Sequence, residues 1–249
     1  MDRFAGKVVL VTGAGSGIGA AASRRLAAEG ATVVLSGRRR EPLDQVARSI
    51  TAAGGRAVIR VADVTVEDDV RGLVDFCVQE HGALHAAFNN AGSVSAIGAT
   101  AELDLDTWRA EIDANLTSVF LCLKHQATRI ADGGAILNNA SIAAVRGTPS
   151  MSAYTAAKHG VLGLTRSVAL ELVGRGVRVN ALVTGNVDTP LYRRLIGTDA
   201  SADLPPAPNP TGRTATADEV AAYVAFALSE EATFVTGAAL TIDGGFTAG

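Results

Sequence analysis

Tyr154 and Lys158 stand four residues apart in the run Ser152-Ala153-Tyr154-Thr155-Ala156-Ala157-Lys158. On a helix that spacing puts both side chains on one face, about one turn apart. A phenol beside an ammonium can exchange a proton with an alcohol or carbonyl oxygen. A free tyrosine titrates near ~10, so the task at neutral pH requires a shift of roughly 2–3 units, or about 3–4 kcal/mol. A cation at ~4 Å in an effective dielectric of ~20 supplies on the order of 4 kcal/mol, which is the right size. Ser141 follows the apolar run Ala135-Ile136-Leu137 and then Asn138-Asn139-Ala140. It therefore emerges at the carboxyl end of a strand, where open α/β sheets bind their ligands and where a hydroxyl can hold a substrate oxygen. Asn89-Asn90-Ala91-Gly92 ends another strand at the same edge, and Asn115 lies in the helical stretch that follows. Amides there suit a cofactor or a water. Taken singly, each residue has a plain structural reading as a packed side chain or turn former.

A second constellation binds phosphate. The buried-strand run Val8 to Val11 leads into Thr12-Gly13-Ala14-Gly15-Ser16-Gly17-Ile18-Gly19 and then an Ala- and Leu-rich helix. Glycines at a strand-to-helix turn allow positive φ and close approach of a pyrophosphate, and the helix start offers free N–H groups and a favourable dipole. Gly13, Ser16, Gly17, Ile18 and Gly19 are the expected contacts. The spacing is G-x-x-x-G-x-G rather than G-x-G-x-x-G, and without Gly-Lys-Ser/Thr it is no P-loop. About twenty residues on, where an NAD site places a carboxylate, the chain has Ser36-Gly37-Arg38-Arg39-Arg40. An arginine there can pair with a 2′-phosphate, so NADP(H) is favoured over NAD(H), with Arg38 as the contact. The plain alternative is a solvated basic turn.

The elements that must carry these residues follow from hydrophobic patterning. Short runs rich in Val, Ile, Leu and Ala near 7–12, 31–36, 57–61, 84–88, 134–139, 177–183 and 238–242 read as strands. Amphipathic segments near 18–29, 42–53, 67–81, 104–131, 152–173 and 217–229 read as helices. This is the βαβ rhythm of a doubly wound, mostly parallel seven-stranded sheet between two helical layers. The 249 residues fit one domain, 1–249, and 48% hydrophobic with only 4% aromatic residues means a core filled by small aliphatics. Residues 185–212 break the rhythm with Pro190, Pro205, Pro206, Pro208 and Pro210, which suits a substrate lid rather than regular structure. A net charge of -3 leaves no electrostatic footprint for nucleic acid or an anionic membrane, and no run is long enough to span a bilayer. Only Cys77 and Cys122 are present, and the amino terminus lacks an export signal, which points to the cytoplasm. Cys77, His81 and His85 are spaced four apart, but Gly82 breaks the helix that would align them, so no metal is expected.

Assembled in this order, the motifs resemble those of the short-chain dehydrogenase/reductase family in its compact form, over essentially the whole chain. The matching residues are Thr12 to Gly19, Asp63-Val64, Asn89 to Gly92, Asn115, Ser141, Tyr154, Lys158 and Thr189. The resemblance implies a Rossmann-like fold and hydride transfer between a nicotinamide cofactor and a secondary alcohol or ketone. Under it Tyr154 is the acid/base, Lys158 lowers its pKa and binds the nicotinamide ribose, Ser141 orients the carbonyl, and Asn115 anchors a relay water. Asp63 and Val64 would lie beside the adenine, Asn90, Ala91 and Gly92 along the cofactor, and Val187 and Thr189 on the carboxamide. It also implies a homotetramer built on the long helices and the last strand. One departure is visible: Thr184 stands where the family usually has Pro before Gly185. A sensor or scaffold that kept the fold without turnover is the alternative reading.

Overall fold

The computed structural model describes residues 2–249. Each apolar run of the sequence becomes a strand of one sheet: β1 (Val8–Thr12), β2 (Thr32–Gly37), β3 (Arg56–Val61), β4 (Leu84–Asn89), β5 (Ile130–Asn139), β6 (Arg178–Thr184) and β7 (Ala239–Ile242). Their order is β3-β2-β1-β4-β5-β6-β7, and every neighbouring pair is parallel. The sequence had suggested a mostly parallel sheet; the observed one is parallel throughout. The chain winds outward from β1 to β3 and then returns to place β4 on the other side of β1. That reversal opens a crevice at the carboxyl ends of β1 and β4.

Burial on both faces explains why the strands read as continuous apolar runs. Val9 and Val11 of β1 face one layer, made by α1 (Gly17–Ala28), α2 (Arg40–Ala52) and α8 (Ala217–Leu228). Val8 and Leu10 face the other, made by α3 (Glu67–His81), α5 (Ser118–Arg129) and α6 (Ser152–Leu172). Ala20, Ala21 and Ala22 of α1 and Ala221 and Ala225 of α8 are buried in the first layer. These small side chains let helices approach closely in a protein poor in aromatics. Leu10, Leu26 and Phe88 are wholly enclosed, each contributing about 1.5–3 kcal/mol of burial.

Three elements differ from the sequence reading. The single helix expected over 104–131 is interrupted: α4 (Leu105–Ile112) passes through a π-helical turn, Asp113–Thr117, before α5 begins. Polar side chains compete with the backbone there. Asn115 Nδ2 donates to the Glu111 carbonyl at 3.1 Å, and Ser118 Oγ to the Ala114 carbonyl at 2.9 Å. β5 starts at Ile130, four residues early, and passes Gly133 at a φ of 73°. Within 185–212, the proline-bearing stretch forms a short helix, α7 (Pro190–Leu195). Pro190 occupies its first turn, where no N–H is needed, and Thr189 Oγ1 accepts the Tyr192 N–H at 3.2 Å as its cap.

Candidate active site

The phosphate-binding turn is shaped by contacts that exclude side chains. Gly13 and Gly17 have φ of 64° and 52°. A methyl group on Gly13 would lie 2.9 Å from Asn90 Nδ2, and one on Gly19 would lie 2.6 Å from the same atom while overlapping the Gly13 carbonyl. Ser16, the residue before α1, makes no capping hydrogen bond with its side chain, so the first N–H groups of the helix are left for another acceptor. Thr12 Oγ1 accepts the N–H groups of Asn90 and Ala91 at 3.0 and 3.1 Å, locking the turn to the end of β4. The cradle and its unpaired donors fit a dinucleotide pyrophosphate.

At the end of β2, Arg38 is exposed. Beside it, burial pushes the Asp63 carboxyl up, but hydrogen bonds from the Thr65 N–H and hydroxyl, with the Arg38 charge, hold it below the usual range. Val64 is half-buried next to it. Buried Ser36 Oγ has no hydrogen-bond partner.

Asn115 is buried in the π-helical turn, where its Oδ1 accepts the Ser93 N–H at 3.2 Å and its Nδ2 donates to the Ser93 carbonyl at 2.9 Å. Gly92 sits between this amide and Lys158: a methyl group there would lie 2.8 Å from Asn115 Oδ1 and 3.7 Å from Lys158 Nζ. Ser141 follows β5 and accepts the Ala143 N–H at 3.1 Å, the cap of a short 3₁₀ turn. Tyr154 and Lys158 lie on the first two turns of α6, with Lys158 Nζ 5.5 Å from the Tyr154 ring centre. That ammonium donates to the Asn139 carbonyl at 2.9 Å. The structure thus gathers Asn115, Ser141, Tyr154 and Lys158 at the carboxyl edge of the sheet, beside the glycine turn.

Their electrostatics differ from the simple sequence picture. Burial pushes the Tyr154 phenol up to about 12; the Ser141 hydroxyl opposes that rise and the Glu111 charge adds to it. Burial pulls Lys158 down to about 8, against the Glu111 charge. The ammonium expected to acidify the phenol lies over its ring and is spent on a carbonyl. Burial thus leaves the phenol above its ordinary value, not below it.

Thr184 is the last residue of β6, paired with Ile242 of β7, so the departure from the usual Pro extends the strand to its last position before Gly185. A methyl group at Gly185 would lie 2.8 Å from the Asp243 Cα, which keeps that position small. Val187 is buried, and the Thr189 methyl packs where a side chain on Gly17 would stand, 3.0 Å away. Further on, Arg193 donates to Asp188 at 2.6 and 2.9 Å, and the Thr211 N–H donates to the Gly244 carbonyl at 3.2 Å. The 185–212 segment is anchored at both ends.

Several participants were not read from the sequence. Glu111, four residues before Asn115 on α4, is fully buried and accepts its Nδ2 at 2.9 Å. The i, i+4 spacing of a carboxylate and an amide was the available signal. Asn139 donates to Asn90 Oδ1 at 3.0 Å, joining β5 to the turn. Asn89 points into the core, bonded to Gln126 and Asn138 at 2.9 Å. Cys77, His81 and His85 do not converge: Cys77 Sγ faces the Leu73 carbonyl, and His85 accepts the Val8 N–H at the opposite edge. Among the described residues no group of three or more His, Cys, Asp or Glu could hold a metal ion, and no helix is long and apolar enough to cross a membrane.

A family model described as enoyl-(acyl carrier protein) reductase matches residues 13–247. The chain is 42% identical over 248 residues to a cyclohexanol dehydrogenase of Acinetobacter sp. (strain SE19), covering 99% of this chain and 97% of that one. It is 45% identical over 249 residues to a cis-4-hydroxycyclohexanecarboxylate dehydrogenase of Sinomonas cyclohexanicum, covering 99% of each. Among solved structures, a short-chain dehydrogenase from Burkholderia cenocepacia J2315 in complex with NADP superposes with a TM-score of 0.89 at 35% identity, covering 98% of both chains.

Proposed function

The chain belongs to the short-chain dehydrogenase/reductase family and is an NAD(P)-dependent oxidoreductase of CH–OH groups, and from that premise we propose how its residues divide the work. The observation that carries the proposal is the convergence of Asn115, Ser141, Tyr154 and Lys158 beside the glycine turn. Gly13, Ser16, Gly17, Ile18 and Gly19 hold the pyrophosphate, with Asp63 and Val64 beside the adenine. Asn90, Ala91 and Gly92 run along the dinucleotide, and Val187 and Thr189 hold its carboxamide. Arg38, exposed at the end of β2, would pair with a ribose 2′-phosphate, which favours NADP(H) over NAD(H).

The bound cofactor supplies the hydride acceptor or donor. Ser141 Oγ holds the substrate oxygen, and Tyr154 Oη takes or returns its proton. Lys158 holds the ribose and lends its charge to the phenolate, while Asn115, on its π-helical turn, keeps a water in line for the proton. Burial raises the phenol and the Ser141 hydroxyl opposes that rise; an oxidised dinucleotide held beside the pair would add positive charge that favours the phenolate. The relatives named above point to a small alicyclic secondary alcohol or its ketone as substrate. Apolar Val94, Ala96, Ile97, Val145 and Met151 on the loops joined by the Gly98 N–H to Ser150 carbonyl bond suit such a ring.

The test is Tyr154→Phe assayed by absorbance of the reduced cofactor. Turnover is expected to fall by at least ~10²–10⁴-fold, the usual scale of a positioned acid/base, with NADPH binding kept. Full activity in that variant removes Tyr154 from the reaction.

A further inference from the structure

Glu111 is completely buried, yet none of the ion pairs among the described residues includes it. Its Oε2 accepts the Ser95 N–H at 2.8 Å, the Ser95 hydroxyl at 2.6 Å and the Ala96 N–H at 3.0 Å. Its Oε1 accepts Asn115 Nδ2 at 2.9 Å. Every one of these partners donates, so the shell fits the carboxylate form. Burying a charge without a counter-ion is costly for stability alone, which directs attention to what the charge does.

We propose that Glu111 is a positioning residue: it fixes the Asn115 amide and the 93–96 loop in one geometry, and its charge sets the pH at which the Tyr154–Lys158 pair releases its proton. The proposal rests on the role given to that pair above. The link is short, because Asn115 Oδ1 and Lys158 Nζ both lie within 4 Å of the point where a Gly92 side chain would begin. Both members of the pair feel Glu111, and in the same direction: its negative charge holds the proton on Lys158 and on Tyr154. Among the described residues Glu111 is the one charged group that acts on either member of the pair, and Arg146, just beyond the 3₁₀ turn packed on α6, lies over the Phe246 ring. On α4, Arg109 pairs with Asp106 on the exposed side. Asp113 of the π-helical turn is exposed and bonded to Thr117, His159 of α6 is exposed on the Thr155 carbonyl, and the 93–98 loop has no ionisable side chain.

The test exploits the chain's three lysines, of which Lys7 is half-buried and Lys124 exposed, each beside a surface glutamate. In the cofactor-free protein labelled with ¹³Cε-lysine, NMR follows the titration of Lys158, expected near 8. In Glu111→Gln that midpoint is expected to fall by roughly one pH unit, the scale of a unit charge acting through protein. The pH midpoint of alcohol oxidation is expected to fall with it. Ser95→Ala removes one donor but keeps the charge, so it should leave the Lys158 midpoint in place; a purely structural Glu111 would make the two variants behave alike. An unmoved midpoint in folded Glu111→Gln overturns the proposal. Should that variant fail to fold, Glu111→Met serves in its place. In the unmodified protein a protonated-carboxyl infrared band at neutral pH overturns it outright, and absence of that band supports it. A midpoint that moves in a protein without dehydrogenase activity would sink the proposed function and leave the electrostatic role standing.

Discussion

On the proposed reading Arg38 decides cofactor choice. It is exposed and shares its field with Asp63, so a bond from it to a phosphate would be only partly shielded from water. A hydrogen bond between charged groups is worth about 1.5–3 kcal/mol, or roughly 10–100-fold in affinity. Arg38→Ala is therefore expected to weaken NADPH by that factor and NADH by no more than about threefold; fluorescence titration decides it, and equal losses for both cofactors would reject the assignment. At this scale the chain was unevenly legible. Tyr154, Lys158 and Ser141 stood out by their company, since each alone has a plain structural reading and only their order with the glycine turn and the asparagine run singles them out. Glu111 did not, because its one signal, an amide four residues on, is weak beside the solvated acids around it, Asp106 and Asp113. Only packing against Ser95, Ala96 and Asn115 shows that it is enclosed.

Among the elements, the strand-to-helix turn is the least forgiving. A methyl group at Gly19 meets the Gly13 carbonyl and Asn90 Nδ2, and both belong to backbone or to a side chain already committed to Thr12 and Gly13. Gly19→Ala should cost about 1–3 kcal/mol as overpacking and lower cofactor affinity at least ~10-fold. Thermal melting and NADPH titration measure the two effects; an unchanged affinity would mean that the turn is not the pyrophosphate site. Strands and helices were readable because both faces of the central strands are buried and each helix has one apolar side. Two irregularities were hidden for opposite reasons. The π-helical turn keeps helical composition and differs only in which carbonyls Asn115 and Ser118 capture. α7 lies among prolines that argue against helix, yet Pro190 falls at the one position that tolerates it.

For the whole molecule, the all-parallel sheet leaves β7 at an open edge, next to α8. Phe120 on α5 and Leu170 on α6 are 46% and 77% exposed, large apolar side chains facing water on the long helices. If the chain forms the homotetramer expected from its sequence, these two surfaces are where its contacts would form. Light scattering is expected to give about four times the 25.4 kDa chain mass. Phe120→Asp together with Leu170→Glu should halve that mass by removing one contact; a monomer from the unaltered protein would refute the assembly. The alternating rhythm announced the sheet, but the edge and the exposed helix faces appear only once strand order is known.

A methyl group on Gly17 would stand 3.0 Å from the Thr189 methyl and 3.1 Å from its Cβ, although the two residues lie far apart along the chain. The bare glycine is thus what lets the root of α7 lie against the turn, and a side chain at that position would push the two apart.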